Sequence, residues 1–213
     1  MKCFLVHGYN TFDGGASGVL QFVKQLEAAG LEPVPFQYGW TGLLGVRFFN
    51  DDRARQLRRL VGNEQAVAIC HSNGCTVGLM AAAFGAPFRN MVFLNPALDT
   101  DAIRPIHVGR IDVFHNGDDV ATLISSLLLF HPWGSMGRRG YRGKDPGWIN
   151  WDTIRGERWQ WEENLKRRTA TILSTFDSRV AAHGHSGWMP KNNRQAWQFW
   201  SPLIVGAAAG RLG

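Results

Sequence analysis

Residues Ala66–Ala83 read AVAICHSNGCTVGLMAAA. The first five form a short apolar run with no polar alternation, the pattern of a strand covered on both faces. The run breaks at His71–Ser72–Asn73–Gly74. A stretch of small residues follows that is expected to be helical and to end near Gly85–Pro87. A serine at a sharp strand-to-helix turn has its hydroxyl pushed out from the sheet edge. The positive end of the next helix can then stabilise negative charge developing beside it. Such a turn needs small neighbours, and Gly74 and Gly78 stand two and six residues on. The plainer reading is that Ser72 merely caps the helix beginning near Asn73.

Similar apolar strands lie to either side: Lys2–Val6, Met91–Asn95 and Ile111–His115, with Val34–Tyr38 expected as an edge element because of Pro35. Between them, Val19, Phe22, Val23 and Leu26 share one helical face that stops at Gly30. Ala54, Leu57 and Val61 mark a second helix over about 53–61, preceded by a loop over 39–49. Strands alternating with amphipathic helices predict an α/β fold, three layers around a mainly parallel sheet. After residue 130 the expectations are an irregular excursion over 134–147, one helix over 157–176, a short strand over 179–182, and a closing helix over 194–209 bent near Pro202.

The Ala66–Ala83 segment resembles the nucleophile elbow of the α/β-hydrolases, including lipases and esterases, usually written G-x-S-x-G. Here it reads C-H-S-N-G: Ser72 and Gly74 match, while Cys70 adds a Cβ where the family has its first glycine. The resemblance implies a compact serine esterase with Ser72 as nucleophile and no cofactor. It also implies an oxyanion hole built from the backbone N–H of Asn73 and one from the His7–Gly8–Tyr9–Asn10 loop, assigned to Tyr9. His7 would fix that loop or simply end its strand. The family's acid follows a late strand, which points to Asp118 after Ile111–His115, with Asp119 as the alternative. Its histidine follows the last strand, which points to His185 in Gly184–His185–Ser186, with His183 as the alternative. The order Ser72, Asp118, His185 is that of the family. Because the first strand begins at residue 2, the family's first two strands are absent, and a trimmed sheet of fewer than eight strands is expected. The likeness covers residues 2–130 and the His185 loop, and is poor over 131–178.

Composition limits the other function classes. The chain has 213 residues, enough for one domain over 1–213, with 131–178 expected as a cap or rim insertion. Three cysteines, Cys3, Cys70 and Cys75, make neither a disulfide framework nor a spaced metal site, and with no signal-like N-terminus they suggest a cytoplasmic setting. Cys75 competes with Ser72 as nucleophile only if it reaches the apex, and His71 is too close in sequence to serve as base. His183 and His185 lack further ligands at metal spacing.

Charge is unevenly placed. Residues 131–200 carry 12 basic and 6 acidic side chains, whereas the remainder is balanced at 11 each. Arg138, Arg139, Arg142 and Lys144 lie among glycines 134, 137, 140, 143 and 147, a composition expected at a pocket rim that favours an anionic or polymer-borne ester. The apolar run Leu123–Phe130 and Trp133 would border an acyl pocket or form a buried helix. The competing classes are a hydrolase-fold interaction protein without activity, a hydrolase of amides or thioesters, and a nucleic-acid binder. No helix-turn-helix or zinc-finger pattern supports the last of these.

Overall fold

In the computed structural model, the described residues are 1–8, 13–38, 43–121, 134–161, 168–173 and 176–212. Their strands are β1 (Lys2–Val6), β2 (Glu32–Phe36), β3 (Ala66–His71), β4 (Phe88–Leu94), β5 (Arg110–His115), β6 (Trp148–Asp152), β7 (Glu157–Trp161) and β8 (Arg168–Ile172). The helices are α1 (Val23–Ala28), α2 (Leu43–Val61), α3 (Asn73–Ala83), the one-turn α4 (Met136–Arg139) and α5 (Arg194–Ala208). One sheet runs in the order β2-β1-β3-β4-β5-β6-β7-β8. Pairing is parallel from β2 to β6 and antiparallel from β6 to β8.

The central strands are continuously apolar because both their faces are covered. On β1, Phe4 and Val6 enter one core with Ala54, Leu57 and Val61 of α2 and Cys75, Val77 and Ala81 of α3. The intervening Cys3 and Leu5 enter the other, with Leu26 of α1 and Ala196, Trp200 and Ile204 of α5. This alternation with period two divides one apolar run between two cores. Helices α2 and α3 thus form one outer layer, and α1 and α5 the other. Helix α5 starts at Asn193, whose side chain accepts from the Ala196 N–H at 3.0 Å, and it continues through Pro202.

Three expectations are corrected. Helix α2 begins at Leu43, not near Arg53. Phe48 and Phe49 are 65% and 54% exposed, so these two large apolar residues turn outward and do not extend the inward-facing period of Ala54, Leu57 and Val61. The sheet has eight strands because Trp148–Asp152 adds β6 and residues expected as one helix over 157–176 instead form the antiparallel β7 and β8. Trp159 and Trp161 alternate at period two, and Arg168–Ile172 is β-branched at three of its five positions. Residues 179–182 are not a strand: Asp177 accepts from the Arg179 N–H and caps a 3-10 turn over Ser178–Val180.

The chain enters at β1, moves outward to the β2 edge, then crosses back over β1 to β3 and proceeds toward the other edge. The strand order therefore reverses between β1 and β3, and in open parallel sheets the crevice beyond the strand ends at such a point is where ligands sit. His7–Gly8 follows β1, and His71–Ser72 closes β3.

Candidate active site

Ser72 adopts φ 55° and ψ −125° at the junction of β3 and α3. Among the described residues only Ser72 and Asn95 are non-glycine positions with positive φ. Such conformations cost of order 1–3 kcal/mol and persist where surrounding structure enforces them. At Ser72 that enforcement is specific. Its N–H donates to Leu94 O at 3.0 Å, and its carbonyl accepts from Cys75 N at 3.0 Å and Ala97 N at 3.2 Å. The apex is tightly surrounded. A Cβ on Gly8 would stand 2.8 Å from Ser72 Cβ, and one on Gly74 would stand 2.6 Å from Val6 O. Gly78 explains why cysteine is accommodated at position 70, since a Cβ there would stand 2.7 Å from Cys70 Sγ. The bulk missing from Gly78 makes room for the bulk added at Cys70.

Asn73 opens α3, and the first N–H groups of a helix have no acceptor within it. Its side chain is buried in a reciprocal amide pair with Asn50 of α2, with Nδ2–Oδ1 distances of 3.0 and 2.9 Å. Tyr38 donates to His7 O at 2.6 Å and stacks on the His7 ring at 4.2 Å, holding the end of β1 beside the elbow. His7 Nδ1 lies 2.9 Å from Gly8 O, and burial lowers the imidazole pKa, which favours the neutral donor. Tyr9, the expected second oxyanion donor, lies outside the described residues, as do residues 123–130 and Trp133. Neither Asn50 nor Tyr38 was expected to support the site: they flank the stretch 39–49 expected as a loop, Tyr38 as the last residue of the expected strand Val34–Tyr38.

The imidazole of His185 meets Asp119, not Asp118: Nδ1 lies 3.0 Å from each oxygen of the Asp119 carboxylate. Asp119 is fully buried and also accepts from Asn95 Nδ2 at 3.2 Å. Helix α4 presses on it at Gly137, where a Cβ would stand 2.7 Å from Asp119 Oδ2. Asp118 instead lies 2.7 Å from His183 Nδ1, and these side chains are 58% and 61% exposed. The carboxylate paired with His185 is therefore that of Asp119, the alternative to Asp118. A turn closed by Asp119 N to Asn116 O at 3.3 Å directs position 118 to solvent and 119 inward. Val120, the apolar residue that follows the two aspartates, is 56% exposed. Asn95 was missed as well, and its only sequence signal was a polar residue ending an otherwise apolar strand.

The two loops brought together by this pair hold each other directly. Asn116 Nδ2 donates to Gly184 O at 2.8 Å, and buried Trp188 stacks on Phe22 at 5.6 Å, anchoring the histidine loop to the core shared with α1 and α5. His71, next to the apex, lies between: its ring is 4.9 Å from that of His185 and its Nε2 lies 3.4 Å from His185 O. Burial, then the neighbouring His185, pushes the His71 pKa down to about 3.

A buried neutral histidine makes stability depend on pH. The unfolded imidazole protonates near 6.5, the folded one only near 3, so the stabilisation is complete above 6.5 and is lost progressively as pH falls to 3. Between pH 7 and pH 5 this group alone should remove about 2 kcal/mol. His71→Gln should lose that part of the pH dependence, as measured by urea unfolding at the two values. Equal losses in wild type and variant would show that His71 titrates normally.

Cys75 is not at the apex. Its buried thiol donates to Cys70 O at 3.3 Å, and burial raises its pKa well above the ordinary thiol value, which suppresses the thiolate. Among the described residues no group of three His, Cys, Asp or Glu side chains could hold a metal ion, and no helix is long and apolar enough to cross a membrane. All three cysteines are free thiols.

No protein-family model and no curated protein matches the chain. Among solved structures it is similar to one from Xanthomonas campestris pv. campestris, provisionally assigned to the hydrolases of the alpha/beta superfamily. The two share 14% identity with a TM-score of 0.49, over 98% of this chain and 95% of that one. The architecture is read from the chain's own strands. Its parallel sheet reverses between β1 and β3, bears a strained serine turn after β3, and receives late acid and histidine loops at the same end. The chain is an α/β protein, three layers around an eight-stranded and mainly parallel sheet that ends in two antiparallel strands at the β8 edge.

Proposed function

We propose that the protein is a serine hydrolase of carboxylic esters, with Ser72 as nucleophile, His185 as base and Asp119 as the acid that orients it. The observation that carries this reading is the buried Asp119 carboxylate on His185 Nδ1, which leaves Nε2 as the nitrogen available to a serine hydroxyl. The strained turn at Ser72 supports it independently.

In this mechanism His185 Nε2 takes the Ser72 proton as Oγ attacks the ester carbonyl. The positive imidazolium that results is stabilised by Asp119, which stays ionised. Negative charge on the carbonyl oxygen is met by the Asn73 N–H at the start of α3 and by a donor from the loop after Gly8, assigned to Tyr9. His185 then gives its proton to the leaving alkoxide, and the acyl group remains on Ser72. Water attacks the acyl-enzyme with His185 again taking a proton, and the acid is released with Ser72 reprotonated. Asn95 and Asn50 are positioning residues: one holds Asp119, the other the first turn of α3.

A fluorophosphonate probe should label the protein once, and peptide mapping should place the label on Ser72. A folded sample that takes no label would instead favour the hydrolase-fold interaction protein without activity.

A further inference from the structure

A cavity of about 440 Å³ opens beside the acid loop and is lined by Arg138, Arg139, Arg142 and Arg155 together with His115, Asp118 and Asp152. This volume lies within the range of small-molecule sites, about 300–1,000 Å³. Four arginines and two aspartates thus contribute to its lining, and each carboxylate also has a partner from the surrounding loops. Asp118 is bound to His183 at 2.7 Å. Asp152 accepts the backbone N–H groups of Ile154 and Arg155 at 3.0 Å each, and the Arg155 side chain approaches it only to 3.9 Å.

The arginines come from two separate segments that the fold holds in place. Arg138 and Arg139 lie on α4, whose Gly137 carbonyl accepts from Asn116 N at 3.0 Å. The chain then passes Gly140 at φ 70°, where a Cβ would stand 2.8 Å from His115 Nε2, so only glycine brings this segment so close to the end of β5. Arg138 Nε donates to Gly117 O at 2.9 Å, which ties its guanidinium to the acid loop. Arg155 arrives from the β6–β7 turn. Lys144, grouped with these residues by sequence, does not line the cavity.

We propose that this cavity binds a phosphate-class oxyanion. Several guanidinium forks around one space match a multiply charged, tetrahedral acceptor with oxygens to spare, whereas a single carboxylate would leave most of them unmatched. The cavity exceeds the size of a bare phosphate, so its ligand carries the phosphate on a larger body. Gly117 and Asp118 line the cavity and Asp119 is the next residue, so a bound group lies against the loop that orients His185. That the phosphate belongs to the hydrolysed substrate rests on the proposed ester-hydrolase function. The anion site itself does not.

Inorganic phosphate titrated into the whole protein by calorimetry should bind with roughly millimolar affinity, and more weakly as sodium chloride is raised. Arg139→Gln/Arg142→Gln, two exposed positions, should weaken it at least about tenfold with the phosphate-free melting temperature preserved. Arg139→Lys/Arg142→Lys should retain part of the affinity, because charge survives while the planar fork does not. No binding to wild type, or equal affinity in the Gln variant, would overturn the proposal. Kinetics then locate the source of the anion. With a nitrophenyl ester whose acyl chain ends in phosphate, a fall in kcat/KM confined to that ester, with nitrophenyl acetate unchanged, assigns the site to the substrate. Weakened phosphate binding with both esters unaffected assigns it to a separate phosphate ligand. Failure of the hydrolase reading is distinct: wild type would turn over neither ester yet still bind phosphate.

Discussion

Ser72→Ala should lower kcat on a nitrophenyl ester by about 10⁴–10⁶, to the level that binding and oxyanion donors sustain without a nucleophile. The size of the effect follows from the chemistry. Without Oγ there is no acyl-enzyme, and the remaining groups can only assist direct attack by water. The fold should persist, because alanine keeps the backbone bonds that hold the apex, from Ser72 N to Leu94 O and from Cys75 and Ala97 N–H to Ser72 O. Ser72→Gly separates chemistry from strain. It should be equally inactive yet more stable than Ser72→Ala by about 1 kcal/mol, because glycine tolerates φ 55° without the Cβ penalty. Steady-state kinetics and denaturant unfolding of the two variants check both halves. Retention of most activity by Ser72→Ala would remove this residue from the reaction and leave it a turn residue.

The second large effect is expected at Asp119, and its value lies in the contrast with the residue beside it. Asp119→Asn keeps shape and volume but removes the charge that stabilises the His185 imidazolium. It also places an amide where the histidine tautomer requires an acceptor. A fall in kcat of about 10⁴ is expected. Asp118→Asn disturbs only an exposed pair with His183, of a kind worth about 0–1 kcal/mol, and should change kcat less than about threefold. Burial accounts for the difference: Asp119 is inaccessible to solvent and held by Asn95 and His185, whereas water solvates Asp118. Histidine substitutions should follow the same division, with His185→Ala inactive and His183→Ala close to wild type. Reversal of the two aspartates, with Asp118→Asn the damaging change, would return the acid to the position expected from the sequence.

The central strands and the serine turn were legible because their signals are local. A strand between two helix layers is apolar along most of its length, and Ala66–Cys70, Met91–Asn95 and Ile111–His115 are close enough to that pattern to be recognised singly. The turn at Ser72 likewise depends on its immediate neighbours, Gly74 and Gly78. Residues 157–172 were also readable in principle. Their alternating tryptophans carry period two, and the β-branched residues over 169–172 favour a strand over the helix expected there.

What the sequence could not supply was the direction of side chains whose partners are distant. Asp118 and Asp119 are chemically equal, and only the Asn116–Asp119 turn, the Gly137 backbone and the anchored His185 loop decide which is drawn inward. Asn50 and Tyr38 become supports of the elbow only because α2 and the end of β2 pack against β1 and α3. Arg155 joins Arg138, Arg139 and Arg142 around one cavity only because β6 and β7 extend the sheet and carry their turn back to the acid loop. Local composition determined the strands and the apex, since backbone conformation and burial pattern are short-range properties. The Asp119–His185 pairing, its supports and the basic cavity were decided by tertiary structure, because each depends on the packing of residues that the chain itself keeps far apart.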